Sequence, residues 1–152
     1  MLTKKVKYAL KAVLYLAKRY DDEHLIAVNE ISREEYIPYK FLEKILLQLK
    51  RKGILISKIG RLGGYQLSRP PAEIMVGEII RNIDGTIAPV SCVSKTAYEK
   101  CFDCENERTC EIRRTMQMVR DAMAKVLDGT SLADAISMDS KVASTLRYAF
   151  AQ

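Results

Sequence analysis

Nowhere in its 152 residues does the chain hold 18 apolar residues in a row, which excludes a membrane-spanning helix. The start, Met-Leu-Thr-Lys-Lys, has the basic character of a signal peptide. Lys11, however, interrupts the apolar run Tyr8–Ala17, and Lys18-Arg19 stands where a small-residue cleavage site belongs. A cytoplasmic protein is the expectation. There is one histidine, His24, so a histidine-rich metal site is excluded. It sits in the polar connector Asp21-Asp22-Glu23-His24 and reads as an exposed loop residue, with a ligand role as the alternative. No nucleophile–base pair is evident. Gly60–Gly64 lies between two strand-like segments, so it fails the strand-to-helix context of a nucleotide loop. The expectation is a protein that is not an enzyme. Internal repeats and low-complexity segments are also lacking, and 48% hydrophobic with 29% charged residues is ordinary for a folded domain.

Two further absences are local. No acid occurs between residues 4 and 20, and no cysteine occurs outside Cys92–Cys110. The first belongs to a wider asymmetry. Residues 1–69 carry 15 Lys/Arg against 7 Asp/Glu, whereas residues 70–152 carry 10 against 12. Within residues 38–69 the count is 8 basic to 1 acidic, a local field able to recruit a polyanion.

Hydrophobic periodicity places this charge on defined elements. Val6, Leu10, Val13 and Ala17 share one face of a helix expected over 4–20. A short helix follows at about 28–35, anchored by Ile31. Tyr36-Ile37 makes a turn, and Pro38 then opens a helix that runs to Lys52 and is stopped by Gly53. Its apolar stripe is Phe41, Leu42, Ile45, Leu46 and Leu49. Ile54–Ile59 and Tyr65–Ser68 flank the glycine-rich turn and read as a β-hairpin. Two short helices followed at once by a hairpin define a winged helix-turn-helix, so the expected fold is mainly α with a small β-hairpin wing. Beyond Pro70-Pro71 come a short helix over 74–83, a loop over 86–108 and a longer helix from Cys110 to Leu127. The last carries Ile112, Met116, Val119, Met123 and Val126 on one side. Ser131 and Asp134 have capping-box spacing and open a final helix. The expected organisation is a DNA-binding unit over 1–70, a connecting helix and cysteine loop over 71–109, and dimerisation and C-terminal helices over 110–152.

In a helix-turn-helix the second helix enters the major groove with its N-terminal residues against base edges. That end presents Tyr39, Lys40, Glu43 and Lys44, with Gln48 a turn further on. Lys40 and Lys44 can donate to guanine or phosphate. Glu43 can accept from a cytosine amino group, or can instead pair with a neighbouring lysine at helical spacing. Lys58 and Arg61 on the hairpin can reach a flanking minor groove or phosphate, and Thr3, Lys4 and Lys5 can anchor backbone phosphates. Any one lysine is more simply a solvated charge; the group carries the signal. A basic face that binds an acidic protein partner is the competing use of the same residues.

Cys92, Cys101, Cys104 and Cys110 fall within 19 residues, separated by eight, two and five residues. Zinc ribbons use two tight pairs instead. Four thiols spaced by Lys, Glu and Asp are not buried packing residues, and an iron–sulfur cluster, zinc or a thiol–disulfide switch remain open. Lys95, Lys100 and Arg108 would favour thiolates.

The ordered motifs Tyr8-Ala9-Leu10, Phe41-Leu42-Glu43-Lys44-Ile45-Leu46, Leu49-Lys50-Arg51-Lys52-Gly53-Ile54-Leu55, Gly60-Arg61-Leu62-Gly63-Gly64-Tyr65, Ile83-Asp84-Gly85, Cys110-Glu111-Ile112-Arg113 and Thr130-Ser131-Leu132-Ala133-Asp134 span nearly the whole chain. In them the sequence resembles the Rrf-type winged-helix transcription regulators of bacteria. The resemblance implies a homodimer bridged by the helix around 110–127, a palindromic operator, and an iron–sulfur cluster whose state alters DNA binding. It matches Cys92 and Cys110 to the family's first and third ligands, Cys101 or Cys104 to the second, and Glu43 to a base-reading acid. Departures are Ile59 where arginine is common, Arg61-Leu62 for the usual Pro-Gly, Arg113 for a histidine ligand, and no acid in the first helix. With the extra cysteine as the simplest fourth ligand, an all-cysteine site within one chain is expected.

Overall fold

The computed structural model describes residues 3–22 and 24–137; the expected C-terminal helices beyond 137 lie outside the described residues. Five α-helices and one hairpin follow in order: α1 (Lys4–Ala17), α2 (Val28–Glu34), α3 (Tyr39–Arg51), β1 (Leu55–Lys58), β2 (Gly64–Leu67), α4 (Val76–Asp84) and α5 (Glu111–Asp128). Single 3₁₀ turns lie at Pro71–Glu73 and Ser91–Val93, and residues 132–137 are helical.

Helix α1 packs against α4, α3 and β2 together, and this explains its burial. A helix covered from three directions buries more than one stripe. Ala9, Ala12, Tyr15 and Leu16 join Val6, Val13 and Ala17 in the core, while Leu10, expected inside, is only partly buried. The helix also stops at Ala17, not at residue 20. Residues 18–20 are turns in which the amides of Arg19 and Tyr20 bond back three residues. Thr3 caps α1, its hydroxyl accepting from the Val6 amide at 3.3 Å and donating to Asp84 Oδ1 at 2.9 Å.

Helix α3 touches α1, α2, α4 and β1. Leu42, Ile45, Leu46 and Leu49 are fully buried, each worth about 1.5–3 kcal/mol of transfer free energy. Phe41 is displaced from that stripe. It lies at the helix margin, edge-on to Tyr8 with ring centroids 5.6 Å apart. Pro38 precedes the helix as its N-cap at φ −55° and ψ 125°, so its carbonyl, not its missing amide, takes part by accepting from Phe41 and Leu42.

The hairpin is antiparallel, with Leu55 opposite Leu67 and Lys58 opposite Gly64. Leu55 and Leu67 turn inward. Its root is tied to the segment before α2, because the Ile26 and Tyr65 amides bond each other's carbonyls at 2.9 and 2.8 Å. Gly64 permits that approach, since a Cβ there would collide with the Ile26 carbonyl.

Helix α5 is about 27 Å long and no residue of it is fully buried. Met116 and Met123 are half-buried, whereas Ile112, Val119 and Val126 from the expected stripe are exposed. The capping box at Ser131 is formed reciprocally, with the Asp134 amide donating to Ser131 Oγ at 3.0 Å and the Ser131 amide to Asp134 Oδ2 at 3.0 Å. No helix among the described residues is long and apolar enough to cross a membrane.

Gly64→Ala must part the Ile26–Tyr65 bridge or distort β2. Chemical denaturation should show a loss of about 1–3 kcal/mol, and an unchanged midpoint would contradict the close approach.

Candidate nucleic-acid interface and thiol loop

Because the inner face of α3 is buried, Lys40, Lys44, Leu47 and Arg51, spaced along its opposite side, face solvent. Lys40 is 5.7 Å from the Tyr39 ring and 3.5 Å from Glu43 Oε2. The pairing alternative for Glu43 is thus present in the free protein. With side chains 86% and 46% exposed, this pair is worth no more than about 0.5 kcal/mol, too little to hold Lys40 away from a phosphate.

A groove of about 380 Å³ separates the α2–α3 corner from the wing and is lined by Asn29, Tyr39, Ser57, Lys58 and Tyr65. Burial, followed by the neighbouring charges of Glu43 and Tyr39, raises the Tyr65 phenol above its ordinary value. The wing therefore joins the start of α3 in one surface. Tyr65 was not among the expected site residues, and only its place beside the glycine-rich turn hinted at it. Lys58 and Arg61 are exposed on this wing, and Lys4 is exposed at the start of α1, 6.0 Å from the Tyr8 ring. Lys5 is half-buried.

Three expected contributors are committed elsewhere. Gln48 faces α4, where Nε2 donates to the Asn82 carbonyl at 2.7 Å, so its amide ties the two helices together. Thr3 caps α1 and binds Asp84. Arg69, one of the eight cations of residues 38–69, forms a two-pronged bond to Glu78 at 2.6 and 2.7 Å. In each case the partner is too far along the chain for local spacing to reveal it.

The thiol loop is organised by α5. Cys110 is its N-cap, and its sulfur accepts from the Arg113 amide at 3.4 Å. That amide, the Cys104 thiol, the Ile112 amide and the Arg113 charge hold the Cys110 thiol below its ordinary value. Cys104 is shifted upward by burial first, then by donating to the Cys110 sulfur and by the nearby Cys101. These three thiols interact as a group. Cys92 is buried on the turn Ser91–Val93, and its carbonyl accepts from Arg113 Nε at 3.3 Å. Arg120 Nη1 donates to the next carbonyl, Val93, at 2.6 Å. Among the described residues no three His, Cys, Asp or Glu side chains converge in a geometry that could hold a metal ion. The donor chemistry suits a thiophilic group, with soft sulfurs beside cations, while the sulfurs do not form a ready-made coordination shell. His24 is exposed.

This geometry defines a class: a winged-helix fold that presents a cationic helix beside a hairpin. Residues 2–138 match the Rrf2 family, described as "Iron-dependent Transcriptional regulator". The chain belongs to the Rrf2 family of transcription regulators. It is 39% identical over 148 residues to an HTH-type, rrf2-like transcriptional regulator of Rhodobacter capsulatus, covering 96% of this chain and 99% of that protein. It is 29% identical to the HTH-type transcriptional regulator NsrR of Geobacillus kaustophilus, over 96% of each chain. Among solved structures it is similar to CymR, the global cysteine regulator of B. subtilis, with a TM-score of 0.73 and 30% identity over 90% of this chain and 96% of that one. T. potens IscR shares the fold, with a TM-score of 0.71 and 22% identity over 93% and 90% of the two chains.

Helix α5 is joined to α4 by a bidentate pair, Arg81 to Asp128 at 2.6 and 2.7 Å, which holds the Asp128 carboxyl below its ordinary 3.8. A carboxylate depressed by folding stabilises fully above its unfolded value and loses that contribution as pH falls through the folded one. Both side chains are more than a third exposed, so the contribution is at most about 1 kcal/mol. Asp128→Asn should therefore melt below the wild type at about pH 6, and the gap should close towards about pH 3. A gap independent of pH would remove the ionic reading.

Proposed function

We propose that this protein is a cytoplasmic homodimeric transcription regulator that lays α3 in the DNA major groove and its wing along the flanking backbone, under the control of the thiol loop. The observation that carries the reading is the opposed character of α3, sealed by four aliphatic residues inside and lined by Lys40, Lys44 and Arg51 outside. Tyr39, Lys40, Glu43 and Lys44 would meet base edges, and Lys58, Arg61 and Lys4 would hold phosphates. Dimerisation through α5 is supported by Ile112, Val119 and Val126, which recur every seven residues, are exposed in this chain and fit a helix-to-helix seam. Two heads joined this way would engage half-sites of a palindrome roughly 34 Å apart.

Cys92, Cys101, Cys104 and Cys110 would hold an iron–sulfur cluster within one chain, as the family resemblance implies. The cluster would supply a redox- and oxygen-sensitive group in the loop that α5 organises. This chain's own contribution is to hold the Cys110 thiol below its ordinary value at the start of α5 and to fix the Cys92 turn through Arg113 and Arg120. A thiol–disulfide switch is the second reading, favoured by the interaction between Cys104 and Cys110, which raises the first thiol and lowers the second.

Binding to a duplex selected from a random pool should fall steeply with salt, and Lys58→Ala with Arg61→Ala, which remove two phosphate contacts, should flatten the logarithmic slope by about two. An affinity indifferent to salt contradicts the interface; a footprint on an acidic protein instead of DNA favours the interaction-module alternative. Separately, anaerobically purified protein should carry iron and sulfide with visible absorption, and Cys110→Ser should lose both. Colourless protein with stoichiometric zinc, or metal-free protein that gains a Cys104–Cys110 disulfide on mild oxidation, would replace the cluster with the corresponding alternative.

A further inference from the structure

The tip of the wing carries two apolar side chains that no other described residue covers. Ile59 is 101% exposed and Leu62 is 91% exposed, in a hairpin whose other inward positions, Leu55 and Leu67, are fully used by the core. The tip is not loose. The Gly63 amide donates to the Gly60 carbonyl at 2.9 Å, closing a four-residue turn in which Gly60 takes φ +129°, a conformation L side chains rarely adopt. That turn sets the order cation, apolar, glycine, cation, apolar over Lys58–Leu62, with Lys58 and Arg61 also exposed. The same hairpin lines the groove that Tyr39 of α3 faces, with Ile59 and Gly63 of its tip among the lining residues, so the tip and the start of α3 share one surface.

We propose that Ile59 and Leu62 form an apolar wedge that enters the DNA minor groove flanking the site read by α3, with Lys58 and Arg61 holding the phosphates beside it. The proposal rests on the DNA-binding reading and adds to it a source of specificity. Charge selects the occupant: an apolar pair that alternates with two exposed cations, Lys58 and Arg61, matches a groove walled by phosphates.

The chemistry of the groove then says what the wedge discriminates. An A·T or T·A pair shows only acceptors on the minor-groove side, whereas G·C adds the guanine amino group. Neither Ile59 nor Leu62 can accept a hydrogen bond, so a G·C pair beneath them loses the water that its amino group held. Apolar wedges also part base steps and bend the duplex by about 20–90°, most readily at flexible pyrimidine–purine steps. Flanks rich in A·T with such steps are therefore preferred at positions where no hydrogen bond reads a base.

The test uses the full-length protein and a duplex selected by it from a random pool, with flanking A·T pairs replaced by I·C or by G·C. Inosine removes the minor-groove amino group while keeping the major-groove face of G·C. Wild-type protein should tolerate I·C and lose about tenfold on G·C, and it should bend the selected duplex in a circular-permutation assay. Ile59→Ser with Leu62→Ser should weaken binding about 10–100-fold, abolish the I·C against G·C difference and reduce the bend, with an unchanged salt slope. Ile59→Leu should keep all three properties. If the double variant retains affinity, flank preference and bend, the wedge is wrong while the reading helix stands. If the wild type enriches no duplex and gains no affinity at low salt, the DNA-binding reading itself fails, and the wedge with it.

Discussion

Helix α3 can bury only one face, and the functional surface depends on which face that is. Four aliphatic side chains, at about 1.5–3 kcal/mol each, hold its inner side against α1, α4 and β1. No surface ion pair on the outer side approaches that magnitude. The orientation of Lys40, Lys44 and Arg51 is therefore decided by leucine and isoleucine, and the cations stay exposed because they are not needed to hold the helix. The same division governs the wing. Leu55 and Leu67 fix its inner side, the Ile26–Tyr65 bridge fixes its root, and the tip is left to solvent.

A second set of contacts runs from the thiol loop to the reading helix. Arg113 and Arg120 of α5 hold the carbonyls of Cys92 and Val93, Asp128 at the other end of α5 binds Arg81 of α4, and the Asn82 carbonyl of α4 receives Gln48 of α3. Each link is a hydrogen bond to a charged group or a well-placed amide, stronger than the exposed lysine pairs on the surface. Contiguity becomes coupling only through an element that has two arrangements. Helix α5, with no fully buried residue in this chain, is the element least bound by the core.

Elements whose cause is local were legible in the sequence. The amphipathic period of α3, the glycine-rich turn between two strand-like segments, and the Ser131–Asp134 spacing each act within a few residues, and each forms as expected. Faces and ends were less legible where tertiary contact intervenes. Three-sided packing buried Ala9 and Ala12 on α1, and Phe41 moved to the margin of α3 because Tyr8 receives it there. The roles of Gln48, Thr3 and Arg69 depend on Asn82, Asp84 and Glu78, between 9 and 81 residues away, and no periodicity encodes such pairs. The cysteine spacing named a chemistry without a geometry. It did not indicate that Cys92 would be buried on its own turn while the Cys104 and Cys110 thiols shift in opposite directions.

Glu43 shows how the two kinds of information meet. As the single acid among the eight cations of residues 38–69 it would weaken nonspecific attraction to phosphate, and on the proposed DNA-binding reading a selective contact would offset that loss. In the free protein its partner is Lys40, held so weakly that a phosphate can take the lysine away. Once Lys40 leaves, the carboxylate stands beside Tyr39 and Tyr65, and the Tyr65 phenol, shifted upward, stays protonated at neutral pH. A carboxylate stripped of its cation in a drying groove needs a donor, and a cytosine amino group at the base edge is one. A base without a donor there leaves the charge uncompensated, and a buried charge without a partner costs more than a missing contact. On the proposed reading, the weakness of the Lys40–Glu43 pair is what would let Glu43 discriminate: a stronger pair would keep the acid satisfied whatever sequence lay beneath it.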